Sequence, residues 1–137
     1  MKRFLRTVLL AAIYCHSVLA QYSEALDRCL EKADTQTAIN ACANEEASRV
    51  EVELNEIYQR LLVAARGEPR AVEKLLAAEK AWIDYRDAYM NARYLAEDKQ
   101  AEYGSIFPAE FALIRAKLTK QHIEALRDLL KHYSNSK

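Results

Sequence analysis

Apolar side chains recur at three- and four-residue steps through most of the chain, and no stretch of useful length alternates with the two-residue period of a half-buried strand. The clearest run is Val50, Leu54, Ile57, Tyr58, Leu61 and Ala65, which falls on one face of a helix. A second comprises Val72, Leu75, Leu76, Trp82, Ile83 and Met90, and a third Phe111, Ile114, Leu118, Leu126, Leu129 and Tyr133. Glycine and proline occur only twice each, in the clusters Gly67-Glu68-Pro69 and Gly104-Ser105-Ile106-Phe107-Pro108, and strong helix formers fill the rest. The pattern predicts an all-α chain. A short helix runs from about Tyr22 to Lys32, and a second, capped by Asp34 or Thr35, reaches about Arg66. A third starts at Pro69, a residue suited to a first helical turn, and ends near Lys99; a fourth begins around Pro108. Short connections make the last three antiparallel neighbours in a small bundle of about four helices.

The first twenty residues do not fit this scheme. Lys2, Arg3 and Arg6 precede an apolar stretch free of Asp, Glu, Lys and Arg, and Val18-Leu19-Ala20 supplies the small-residue pattern of a signal-peptidase site. The run is shorter than the roughly 20 apolar residues a membrane-spanning helix needs. Residues 1–20 therefore read as a signal peptide, and 21–137 as a single domain in the periplasm or outside the cell, with no membrane span after cleavage. Loss of the leader changes the charge, leaving 17 basic and 20 acidic side chains, a net −3. No basic excess remains to collect phosphates, so nucleic acid is not an expected partner, whereas cationic partners are mildly favoured. Cys15 departs with the leader and leaves Cys29 and Cys42. In an exported chain one intramolecular bridge, contributing ~3 kcal/mol in the chain-entropy model, is favoured over two buried free thiols or pairing between chains. Such a bridge would clip the first helix onto the start of the second.

Catalytic constellations are hard to assemble. His122 lies on the apolar stripe with Leu118 and Leu126, the setting of a satisfied core histidine. Asp128 and His132 are four apart on one helical face, which suits an exposed charge pair and gives too few ligands for a dedicated metal site. Neither a phosphate-cradling glycine loop nor a nucleophile elbow is present. The acid pairs Glu45-Glu46 and Glu51/Glu53 do not share a helical face and read as solvated surface. No enzymatic activity, cofactor or metal is expected.

Cys29, Cys42, the LNEIY of 54–58, the AWIDYRDAY of 81–89 and the GSIFP of 104–108 occur in a particular order and spacing. On these residues the chain resembles the LprI-type domain, a lysozyme-inhibitor-like family of small exported bacterial proteins, over nearly all of residues 25–130. The resemblance implies a helical domain acting outside the cytoplasm and, for the best-known type, inhibition of lysozyme. Asn55, Tyr58, Trp82, Arg86 and Gly104 stand at its motif positions. The chain departs from the family pattern in lacking a second cysteine pair, whose places are held by Met90 and, within a residue or so, Ile114. Glu79 replaces the usual glutamine before the tryptophan, and His122 a late arginine.

Arg86 falls on the same stripe as Trp82 and Met90, where a leucine would pack better. An unpaired guanidinium there would be costly. Arg86 is therefore expected to stack on Trp82 and to tie the long loop to the helix pair, with Glu79, Asn55 or the Gly104–Ser105 carbonyls as acceptors. The alternative gives it to a partner's carboxylate. A better partner-binding surface lies beside it: Tyr85 and Tyr89 are one turn apart, Arg93 continues their line, and Tyr103 and Ser105 open the glycine-containing turn. Ordinary packing of these tyrosines against the first or fourth helix is the competing reading. The resemblance implies inhibition of a lysozyme-like muramidase, and these features would place it as steric blockade, with the 103–108 turn entering the cleft where two carboxylates act on the glycan. The runners-up are a structural or interaction module of the cell envelope, and a protective partner of a secreted toxin.

Overall fold

The computed structural model describes residues 23–135, so the expected signal peptide lies outside the described residues. Five helices follow in order: α1 (Glu24–Leu30), α2 (Gln36–Ala65), α3 (Pro69–Arg93), α4 (Lys99–Tyr103) and α5 (Phe107–Asn135), with no strand among the described residues. Local chemistry accounts for most boundaries. The Ser23 hydroxyl accepts the Leu26 amide at the start of α1, Thr35 accepts that of Ala38 at the start of α2, and Pro69 opens α3. Cys29 and Cys42 form a disulfide, with Cα atoms 5.7 Å apart, that fastens the end of α1 to the second turn of α2.

One boundary differs from expectation. The third helix stops at Arg93 rather than running to about Lys99. Tyr94 is buried, with its ring centroid 5.3 Å from Tyr103, 5.0 Å from Phe107 and 5.8 Å from Phe111. Burial of that ring outweighs the helix propensity of the residues after it. Asp98 then caps the separate short helix α4 by accepting the Ala101 amide.

Sequential long helices are antiparallel, as short connections require. The pairs Asn40–Ser105, Glu46–Lys120 and Glu53–Arg127 advance together along both chains, so α2 and α5 run parallel, with α3 antiparallel to each. The core sits chiefly between α2 and α5: Val50, Leu54, Ile57, Leu61 and Ala65 pack with Leu75, Ala116, Ile123 and Leu126. At the other end Ala43 meets Ala109 and Ala112, small side chains that let two helices approach closely. Not every stripe position is internal. Leu76, Ile83 and Leu129 are exposed: α3 touches the α2–α5 pair along one narrow edge, and on the last turns of α5 it is Leu130 and Tyr133 that face the core.

Candidate functional site

Polar side chains cross the apolar seam at three levels. At the first, Arg86, 5% exposed, donates from Nη1 to Glu51 Oε1 at 2.7 Å and to Thr119 Oγ1 at 3.2 Å, and its guanidinium carbon lies 4.7 Å from the Trp82 ring centroid. Glu51 also meets Arg115 at 3.3 Å. Arg86 thus joins α3 to α2 and α5 from inside the bundle. It does not reach the loop, which lies beyond the C-terminal end of α3. Asn55 is exposed, the Ser105 carbonyl accepts from Asn40 Nδ2 at 3.1 Å, and the Gly104 carbonyl accepts from the Phe107 amide. Glu79 is not its acceptor either.

Glu79 belongs to the second level, where its Oε2 lies 2.7 Å from Nε2 of His122, whose ring stacks on Trp82 at 4.0 Å with an interplanar angle of 5°. The two departures from the family pattern are therefore partners in space. Burial and the neighbouring Glu79 carboxylate together push the Tyr58 phenol above its ordinary pKa.

At the third level Glu46, 1% exposed, lies among Ser23, Arg49 and Lys120, with Lys120 Nζ at 2.6 Å and Arg49 Nη2 at 2.7 Å. The reading of these acids as solvated surface is thus overturned for Glu46, and Glu51 is half-buried beneath Arg86. Glu53, paired with Arg127, and Glu45 keep much of their side chains in solvent. The spacing argument held that adjacent acids point apart, and they do. But α2 has neighbours on more than one side, so pointing apart does not mean pointing into water.

Burial alone would raise the Glu46 carboxyl; hydrogen bonds from Lys120, Ser23 and Arg49 outweigh it and bring the pKa down to about 2. Because the folded value lies below the unfolded one of 4.5, this contribution is complete above pH 4.5 and is lost as pH falls towards 2. Thermal melts between pH 7 and 2.5 should show about 2 kcal/mol of such loss, after discounting for solvent around the partners. In Glu46→Gln the acid-side slope should be shallower; an unchanged slope would assign the acid loss to other groups.

Two surfaces remain. The 94–106 segment is pinned throughout. Tyr103 Oη accepts the Ala96 amide at 3.3 Å, Lys99 Nζ donates to the Ala96 carbonyl at 3.2 Å, and Gly104, at φ 76°, donates its amide to Gln100. That left-handed φ is the conformation only glycine adopts readily. Tyr103 is half-buried against Tyr94 and Phe107, so it supports the segment from within. The segment presents Leu95, 81% exposed, and Ile106, 47% exposed, among the exposed carboxylates of Glu97, Asp98 and Glu102. Sequence reasoning included Ile106 only as part of the 103–108 turn and passed over Leu95, since neither belongs to a periodic stripe.

The second surface is a shallow groove of about 410 Å³ between α3 and α5, lined by Tyr85, Tyr89, Arg93, Lys117 and Gln121 over Ile114 and Leu118. Three sequence-named residues, Tyr85, Tyr89 and Arg93, come together there, while Tyr103 and Ser105 lie on the loop. Arg93 pairs with Glu110 at 3.1 Å and sits over the Tyr94 ring. Met90 is buried beside Phe111 and Arg115, so apolar packing occupies one of the places where a second bridge would stand. Among the described residues there is no group of three or more side chains that could hold a metal ion, and no helix is long and apolar enough to cross a membrane.

A bundle of three long helices, clipped by one disulfide, locked by internal ion pairs and carrying a pinned apolar-tipped loop, defines a small helical scaffold of the kind that presents a surface. The chain belongs to the LprI lysozyme inhibitor family: the family model described as "Lysozyme inhibitor LprI" matches residues 29–126. It is also 27% identical over 115 residues to the "Uncharacterized protein R02472" of Rhizobium meliloti (strain 1021), an alignment spanning 76% of this chain and 80% of that protein. No solved structure matches it.

Proposed function

We propose that the protein is an exported inhibitor of a lysozyme-like muramidase that works by steric blockade, without catalysis, from the 94–106 segment. The observation that carries this reading is Leu95, held 81% exposed on a segment fixed by hydrogen bonds at both ends. A lone exposed leucine is ordinary on a protein surface; the weight rests on Leu95 and Ile106 being carried together on one short, hydrogen-bonded segment. A rigid loop also has little ordering entropy left to lose on binding. The Glu97, Asp98 and Glu102 carboxylates around the tip suit a cleft rimmed with basic side chains, and they favour rapid encounter at low salt. The disulfide suits the periplasm or the extracellular space. This reading moves the main contact from Tyr103, whose hydroxyl and ring support the loop, to Leu95 and Ile106, with the exposed Ser105 beside them.

The test is peptidoglycan turnover by a panel of purified muramidases with and without residues 21–137. At least one member should be inhibited at stoichiometric concentration, more rapidly at low salt. Inhibition of none would transfer the protein to the envelope-module reading.

A further inference from the structure

The groove between α3 and α5 has no part in the loop mechanism, yet it is equipped for a ligand. Tyr85 and Tyr89 are 56% and 39% exposed, with ring centroids 6.3 Å apart and planes inclined by 49°. They form a bent aromatic platform on the outer edge of α3, held by a helix rather than a loop. Opposite them, Lys117 and Gln121 project from successive turns of α5. The Tyr85 and Tyr89 hydroxyls, the Lys117 ammonium and the Gln121 amide make no hydrogen bond or ion pair within the described residues. Unlike the ion-paired side chains between the helices, these four groups stand together around one groove with an aromatic wall. Its floor, Ile114 and Leu118, is apolar and half-buried. The lining contains two cations, Arg93 and Lys117, and no carboxylate; Arg93 is paired with Glu110, which leaves Lys117 as the cation for a ligand.

A ligand for such a surface must offer apolar faces to the rings, hydroxyl or amide groups to Gln121 and the phenols, and a negative charge to Lys117. A peptide helix would cover the rings but leave the polar rim unsatisfied, and a bare anion would leave the rings idle. A pyranose has an apolar C–H face and a rim of hydroxyls, and the spacing of the two rings is on the scale of one sugar residue. We propose that the Tyr85–Tyr89–Lys117–Gln121 groove is a binding site for an anionic oligosaccharide, with sugar faces on the two tyrosines and, on Lys117, a carboxylate carried by a sugar substituent. Convergent polar groups around an apolar floor are the usual construction of a small-molecule site. Because the groove lies on the flank of the bundle and not on the loop, the protein would hold a glycan and the loop's partner at once.

The experiment is amide and tyrosine-ring NMR titration of the intact protein with three probes. These are a tetrasaccharide alternating N-acetylglucosamine and N-acetylmuramic acid, neutral chitotetraose, and sodium acetate. The carboxylated tetrasaccharide should shift Tyr85, Tyr89, Lys117 and Gln121 resonances together and saturate. Chitotetraose should bind at least tenfold more weakly, and acetate should not saturate at comparable concentration. Tyr85→Ala with Tyr89→Ala should weaken the tetrasaccharide at least tenfold, and Lys117→Gln about fivefold while flattening its salt dependence. All three side chains are exposed, so the helical signal and melting point should be preserved. Insoluble peptidoglycan sedimentation with the same variants separates polymer from soluble fragments: parallel losses mean that the same groove serves both. No saturable shift with any glycan would overturn the site. Equal affinity for chitotetraose would overturn its anionic character, and binding unchanged in the tyrosine double variant would place the ligand elsewhere. Muramidase inhibition should survive these substitutions, so failure here is separable from failure of the loop mechanism.

Discussion

Arg86→Ala should destabilise the protein by about 3 kcal/mol, the low end of the cost of breaking a buried ion pair, and lower the melting temperature by roughly 10 °C. The substitution removes the donor to Glu51 and Thr119 and opens a void against Trp82 at the one level where α2, α3 and α5 are joined by a single side chain. Glu51 keeps Arg115 as a partner and is partly solvated, which is why the higher end of that range is not expected. Arg86→Lys should recover only part of the loss. An ammonium restores the charge but not the planar stack on Trp82, and its different length and shape do not set a nitrogen where Nη1 meets both Glu51 and Thr119. A cycle with Glu51→Gln isolates the pairwise contribution. Since the loop is tied to Asn40 and to its own backbone, Ala96 and Gly104 amide protection should persist in folded Arg86→Ala. A variant that melts like wild type but no longer inhibits would make Arg86 a contact residue and remove it from the structural network.

The same residue marks where sequence reading succeeds and where it stops. That Arg86 had to be paired was legible, because the helical period put it on the Trp82 stripe and an unpaired buried guanidinium is costly. Which acceptor it takes was not. Periodicity places residues on faces but does not rank three candidate faces on neighbouring helices, and Glu51 looked solvated beside Glu53. The same limit hid Glu46, whose burial depends on α1 returning across α2 through the disulfide. A better signal was present in the departures from the family pattern. Glu79 and His122, the two positions read there as departures, are 2.7 Å apart.

The bundle itself was more legible than its connections. The stripes on α2, α3 and α5 and the two glycine–proline clusters set the helix number and order within one short helix. The end of α3 was missed because helix propensity is a local quantity, whereas Tyr94 leaves the helix to join three aromatic rings supplied by α4 and α5. That departure has a structural consequence: it turns what would have been one more helical turn into the pinned segment that carries Leu95.

Leu95→Ala combined with Ile106→Ala should therefore weaken muramidase inhibition at least 100-fold, about 2.7 kcal/mol, with no change in the melting temperature. Burying an aliphatic side chain that is free in the unbound protein is worth roughly 1.5–3 kcal/mol, so two such chains comfortably cover that loss even after partial solvation in the complex. Stability should hold because neither side chain packs in either core cluster. The acidic rim acts differently. Glu97→Gln with Glu102→Gln should slow association several-fold at low salt and flatten its salt dependence, while leaving the dissociation rate nearly unchanged, the signature of steering by rim charges. Tyr103→Phe offers the contrasting case: losing the hydroxyl frees the Ala96 amide, so inhibition should weaken in step with loop amide protection. If the Leu95 and Ile106 double variant inhibits as wild type does, the blockade comes from another face of the bundle. If it loses inhibition together with several degrees of melting temperature, the two residues serve the fold, and the loop's role as the contact falls with them.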